Sequence, residues 1–254
     1  MIFIITQIDM SKNKKLIFSV LSVLFWIGVW FLASFLVGNR FFLPSPIHTV
    51  IALFELLGTY EFYKVVFFTL LRVICGLLLG VSLGVSLGIL SQKFPTVYSF
   101  ASLPMSCIKA TPVASFIILL WVLLSGDTLA VLVSTLMVTP IVWQNTCDGF
   151  SSVSGELLEV ANLYKFSFFD KLKVLYLPMI YKFIYPSIIT SVGLAWKAEI
   201  ATEIIAYTRN SIGQNINDAK TALLTPTVFA WTLVIVIMSI LLEFLASRLL
   251  RRTK

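Results

Sequence analysis

Four stretches, Leu16 to Val37, Val73 to Ser91, Thr128 to Cys147 and Thr221 to Leu242, run without a single charged residue. A helix crosses the hydrocarbon core of a bilayer with about 20 mostly apolar residues, so each run is long enough to span. Two more, Tyr98 to Leu124 and Ile184 to Ala206, qualify once Lys109, and Lys197 with Glu199 and Glu203, are admitted within them. A membrane strand alternates apolar and polar residues, whereas these runs are continuous, so a β-barrel is excluded. At 59% hydrophobic and 12% charged residues, the chain is also far from the composition of a soluble domain. The sequence therefore predicts an all-α membrane protein with six transmembrane helices over residues 16–247. A tail, 1–15, precedes them and a basic tail, 248–254, follows. Met10 follows a short apolar start, so translation from either Met1 or Met10 is consistent with the sequence.

Six crossings place both termini, and the loops after the second and fourth spans, on one side. Lys12, Lys14, Lys15, Lys93, Lys165, Lys171, Lys173, Lys182, Arg248, Arg251, Arg252 and Lys254 fall there. Arg40, Lys64, Arg209 and Lys220 fall opposite, with Arg72 near that boundary. Basic residues are retained on the cytoplasmic side, which predicts a multi-pass protein of a bacterial cytoplasmic (inner) membrane with both termini cytoplasmic. The formal net charge of +7 follows from this bias and calls for the lipid bilayer as a partner rather than nucleic acid.

Chemistry-bearing patterns are scarce. Cys75, Cys107 and Cys147 lie in spans without metal-ligand spacing and read as buried small apolar residues. No GxxxxGK[ST] loop, HExxH or Ser/His/Asp set occurs, and the one histidine, His48, stands outside any catalytic pattern. No catalytic residue, metal ligand or cofactor is expected on this chain.

Several spans carry informative positions. Gly76, Gly80, Gly84 and Gly88 recur every fourth residue and make a flat ridge for close helix approach. Pro104 and Pro112 interrupt the third span around Lys109. Two readings stand for that lysine: a structural ion pair, or a position on a solute path facing an anionic partner. Trp143 and Asn145 in the fourth span are further path candidates. In the fifth, Trp196, Glu199 and Glu203 share one helix face. Two stacked carboxylates need compensation, with Lys109 as the candidate partner, and either a buried charge network or a path role results. Ser45 and Pro46 start a helix through Leu57. The polar segment Asn210 to Lys220 reads as a loop.

Between the fourth and fifth spans lies EVANLYKFSFFDKLKVLYLP, Glu159 to Pro178. It reads as a short helix entered at Glu159, a turn between Lys165 and Asp170, and a second helix broken at Leu177-Pro178, where proline lacks the donor a helix interior uses. The segment resembles the EAA signature of ABC importer permeases. Glu159, Ala161, Leu177 and Pro178 match at the family spacing, Val160 replaces an alanine, Leu175 an isoleucine, and Lys165 the usual glycine. The Leu43-Pro-Ser-Pro46 element and Thr69-Leu-Leu-Arg72 are similar to the sulfonate, nitrate and taurine branch. The resemblance implies a type I importer architecture and a cytoplasmic coupling helix within about residues 149–182. It implies ABC ATPase subunits holding ATP and Mg, an extracellular or periplasmic solute-binding protein, and a second copy of the permease in a homodimer. Glu159 would then cap the helix, and Ala161 would allow close approach to the ATPase. The competing class is an ion-coupled secondary transporter with Lys109, Glu199 and Glu203 as the relay.

Overall fold

The computed structural model describes residues 12–39 and 41–251. The expectations placed on Met10, Arg40, Arg252, Lys254 and the first eleven residues lie outside the described residues. Every regular element among those described is helical: α1 (Lys12–Val37), α2 (Pro46–Leu57), α3 (Tyr60–Lys93), α4 (Pro95–Ala110), α5 (Val113–Trp121), α6 (Gly126–Ser151), α7 (Gly155–Leu163), α8 (Phe168–Lys171), a π-helical turn (Leu172–Tyr176), α9 (Leu177–Ile205), α10 (Ile212–Thr221) and α11 (Thr225–Arg251). The chain divides into two units. One takes in residues 12–59 and Asp218–Leu233, the other Tyr60–Asn217 and the chain from Val234.

In the first unit, α1 presents its apolar side chains outward on all sides, as a helix bathed in lipid does. Its C-terminal half is tied down locally. Trp30 Nε1 donates to the Pro44 carbonyl at 3.1 Å, Ser34 Oγ to the Leu43 carbonyl at 2.9 Å, and the Trp30 ring stacks on Phe229. Ser45 is the N-cap of α2 and Pro46 its first residue, as the sequence indicates. Proline suits that position because its missing N–H would have no helical partner there.

The second unit is built on α3, α6 and α9. The glycine ridge of α3 lies directly on α6. A Cβ added at Gly76 would stand 2.6 Å from Ser134 Cβ, at Gly80 2.6 Å from Val138 Cβ, and at Gly84 2.7 Å from Val142 Cβ. Such distances are below any real Cβ contact, so the two backbones meet only because the side chains are missing. Partners rise together along both helices (76 with 134, 80 with 138, 84 with 142), so α3 and α6 run parallel. The connection between them must therefore return the chain across the whole layer.

That return is made by α4 and α5, which meet at a bend of 103°. Of the two interruptions expected in the third span, the one at Pro112 is present, whereas Pro104 lies inside α4 without breaking it. Thr111 is extended, with φ −83° and ψ 131°, because the ring of Pro112 disfavours helical backbone in the residue before it. Among the described residues five helices are long and apolar enough to cross a membrane, six when the bent α4–α5 pair is taken as one span.

Two further expectations change. Cys75 and Cys107 are exposed and only Cys147 is buried, since the first two sit on helix faces turned away from the bundle. Asn210 to Lys220 is mostly helix α10 rather than loop. Ser211 Oγ accepts from Gln214 N at 2.9 Å, and Gln214 Oε1 accepts from Asn210 N at 2.8 Å. These two bonds at the helix start satisfy donors that would otherwise be orphaned.

Candidate functional site

The segment between α6 and α9 is held by local hydrogen bonds. Helix α7 begins four residues before Glu159, because Ser154 is its N-cap and accepts from Leu157 N. Glu159 therefore sits inside the helix and does not cap it, contrary to the sequence reading. The helix ends as a Schellman motif: Phe166 N donates to the Ala161 carbonyl at 2.9 Å and Lys165 N to that of Asn162 at 3.0 Å. The residue at the left-handed position of that motif is Lys165, φ 54°. This is the position where the importer signature carries glycine, and the backbone conformation gives the reason.

Helix α8 follows with a reciprocal cap. Ser167 N donates to Asp170 Oδ2 at 3.0 Å, and Asp170 N to Ser167 Oγ at 3.2 Å. Lys171 Nζ reaches back to Asn162 Oδ1 at 2.6 Å and ties the two helices together. The expected break at Leu177-Pro178 does not occur. Helical structure continues from α8 through the π-turn into α9, with Pro178 in the first turn of α9. The wider π-turn places the proline where no α-helical donor is needed.

Burial in this segment inverts the usual order. Ala161 is buried within the chain, while Val160 is 49% and Leu163 80% exposed, beside exposed Leu157 and Tyr164. An apolar cavity of about 310 Å³ lies among Leu157, Val160, Ala161, Tyr164, Phe166, Val174 and Leu175. Glu159 and Lys165 are exposed. Ala161 is thus a packing residue of the segment itself.

The carboxylates of α9 lie in the opposite environment. Glu203 is fully buried and accepts from Thr69 Oγ1 at 2.7 Å, from Arg72 Nη1 at 3.0 Å and from Gly213 N at 3.1 Å. Arg72 Nε also pairs with Asp127 Oδ1 at 2.7 Å, and its Nη2 donates to the Arg209 carbonyl at 3.0 Å. A Cβ on Gly213 would collide with Glu203, so glycine is what lets α10 approach the carboxylate. Glu199, also fully buried, accepts from Ser134 Oγ at 3.0 Å.

The partner of Glu203 is therefore Arg72, which the sequence places near the membrane boundary without a role. Lys109 is exposed at the end of α4 and forms no ion pair among the described residues. The relay of Lys109, Glu199 and Glu203 is not assembled here. The spacing Thr69-x-x-Arg72 is the available signal, since residues three apart share a helix face. Trp143 is buried, donates to Ser91 Oγ at 3.0 Å and stacks on Tyr98. Trp196 is buried and donates to the Ile235 carbonyl at 3.1 Å, while Asn145 donates to the Ile141 carbonyl one turn back. In this structure these three side chains are engaged in helix packing.

No curated protein matches this chain. Among solved structures, one described as "Inward facing conformations of the MetNI methionine ABC transporter", from a selenomethionine-soaked crystal form, is similar over 77% of this chain and 97% of its own. The TM-score is 0.63 and the identity 14%. The native crystal form of the same transporter is similar over 76% of this chain and 94% of its own, with a TM-score of 0.54 and 15% identity. At such identities the likeness is one of fold, that of a type I ABC importer permease. Residues 76–254 match the family model described as binding-protein-dependent transport system inner membrane component. That stretch takes in α6, the α7–α8 segment, α9 and α11, and the chain belongs to this family of membrane permease components.

Proposed function

We propose that this permease carries a small solute across the cytoplasmic membrane and takes its driving force from an ABC ATPase docked on α7 and α8. The observation that carries the reading is the exposed apolar face of α7, Leu157, Val160, Leu163 and Tyr164, on a short segment between two spans. Apolar surface on a short connecting helix, beside an apolar cavity, is the signature of a protein interface. Glu159 and Lys165 flank it as polar rim. Six crossings and the basic bias of this segment support a cytoplasmic position for it and for both termini. Leu177 and Pro178 then begin the return into the bilayer.

In this reading two copies form the translocation unit. ATP and Mg act on the ATPase, and an extracellular or periplasmic binding protein delivers the solute. A transmitted movement requires only that the ATPase bind the segment differently in its two states. The continuous α8–π–α9 path gives the segment a stiff connection to the span that carries Glu199 and Glu203. The solute class is a small organic or inorganic molecule. Sulfonates, taurine, nitrate and thiamine-precursor pyrimidines come from the motif resemblance, and methionine from the structural relative, itself a methionine ABC transporter. Val160→Asp and Leu163→Asp should leave the permease folded in the membrane and abolish ATPase stimulation by loaded binding protein. Full stimulation in both variants overturns the docking role.

A further inference from the structure

Helix α9 has a second stripe, away from Trp196, Glu199 and Glu203. Thr190, Gly193, Leu194 and Lys197 lie along it and line a cavity of about 390 Å³, closed by Ile141 of α6 and Glu243 of α11. Lys197 and Glu243 are both exposed, and they form no ion pair with each other or with any other described residue. The carboxylate of Glu243 rests against Gly193, where a Cβ would collide with Oε1. Lys197 stands one turn further along α9, about 6 Å away at 1.5 Å per residue.

Depth makes this arrangement costly. Lys197 and Glu243 each lie eight residues inside the C-terminal end of their helices, α9 and α11, about 12 Å along the axis. Both helices are long and apolar enough to span, so both charges fall inside membrane-crossing segments. Ionisable side chains at that depth are compensated by a partner or face a wet cavity. At Glu203 that need is met by Thr69, Arg72 and Gly213, whereas Glu199 Oε1 is buried without a hydrogen-bond partner among the described residues. Here one cation and one anion share a cavity and leave it open between them.

We propose that Lys197 and Glu243 form a binding site for a small zwitterion, its oxyanion on Lys197 and its ammonium on Glu243. The proposal rests on the reading of this chain as the solute-conducting subunit and narrows its solute class. The Lys197 backbone lies one helical turn from Gly193, against which Glu243 rests, and a small zwitterion with its amine and acid two or three bonds of chain apart suits a cavity of this size. Charge-assisted hydrogen bonds at both ends would supply selectivity against molecules bearing only one charge. Thr190 adds a hydroxyl to the wall, and Gly193 keeps Glu243 at its place.

The test uses the permease–ATPase complex in lipid nanodiscs, free of nucleotide, titrated calorimetrically with three matched probes. These are β-alanine, 3-hydroxypropanoate, which lacks the ammonium, and 3-aminopropan-1-ol, which lacks the carboxylate. β-Alanine should bind at least about tenfold more tightly than either analogue, the loss expected from one charge-assisted contact. Lys197→Gln and Glu243→Gln should each remove that preference, and the charge-swapped pair Lys197→Glu with Glu243→Lys should restore part of it. Absence of β-alanine binding, or equal binding by wild type and variants, overturns the proposal. So does a fall in the dimer fraction of Lys197→Gln with β-alanine affinity unchanged, which would mark a salt bridge between copies. ATPase stimulation that is intact while β-alanine fails to bind would sink this site and leave the docking role of α7 standing.

Discussion

The Arg72–Glu203 cluster and the α7–α8 segment put polarity and burial in opposite places. Within the bundle, Arg72, Glu199 and Glu203 are almost completely buried, and every oxygen of Glu203 has a donor. On the connecting segment, apolar side chains stand open. Membrane interiors penalise unpaired charge by several kcal/mol, so a saturated buried charge is explained by the chain alone. Water penalises open apolar surface, at about 25 cal/mol per Å², so the α7 face is explained only by something that covers it. Satisfied burial marks architecture and unsatisfied exposure marks a partner. The Lys197–Glu243 cavity, charged and unpaired at membrane depth, falls on the second side of that division.

Breaking the buried cluster should have the largest effect. Arg72→Met removes the ion-pair partner of buried Glu203, and losing one partner of a buried ion pair costs about 3–5 kcal/mol. The variant should show a sharply lowered thermal midpoint in detergent, or fail to accumulate. Asp127→Ala should do little by comparison, because Asp127 is 74% exposed at its side chain and exposed pairs are worth about 0–1 kcal/mol. Equal effects from the two substitutions would show that Glu203 is not what Arg72 compensates. Next in size is Gly84→Val. A Cβ there stands 2.9 Å from the Thr139 carbonyl as well as against Val142, and overpacking a close contact costs about 1–3 kcal/mol. A wild-type midpoint for Gly84→Val would mean that α3 and α6 separate without cost.

How much of this is readable from the sequence depends on the range of the physics. The spans, the glycine ridge and the start of α2 follow from local composition and spacing, and all three are present. The α4–α5 bend is half visible: Pro112 marks the position, but a bend of 103° is set by what α4 and α5 pack against. Helix α10 is hidden because its polar residues suggest a loop, although Ser211 and Gln214 carry the spacing of a capping pair. The pairing of Glu203 with Arg72 rather than Lys109 joins positions 131 apart in the chain, and nothing local selects between two cations. Ala161 misleads for a related reason. Its match to a signature marks that the residue matters, but not whether its side chain faces a partner or its own fold.

The docking substitutions sharpen the comparison from the other side. Val160→Asp and Leu163→Asp place charge on open positions, where surface changes alter stability by no more than about 0.5 kcal/mol. Their thermal midpoints should match wild type while stimulated ATP hydrolysis is lost. Ala161→Arg should behave differently, lowering the midpoint as well, because Ala161 is buried against its own segment. If Ala161→Arg alone lost coupling and kept its stability, the apolar face would not be the docking surface.

The smallest effect is expected at Lys165, where the segment holds a non-glycine residue at φ 54°. Left-handed backbone brings Cβ close to the following carbonyl and costs roughly 1–2 kcal/mol for residues other than glycine. Glycine removes that cost but has more freedom to lose on folding, by roughly 0.5–1 kcal/mol relative to alanine. The difference leaves Lys165→Gly about 0.5–1 kcal/mol more stable at this turn. A shift of that size is too local to move a whole-protein midpoint, so hydrogen exchange is the suitable measurement. The Lys165 and Phe166 amides donate to the Asn162 and Ala161 carbonyls, and both should exchange a few fold more slowly in the glycine variant. Faster exchange would mean that the Lys165 side chain contributes more to the turn than its backbone strain removes. The lysine would then belong with the satisfied contacts of the fold, leaving the apolar face of α7 as the part of the segment that awaits a partner.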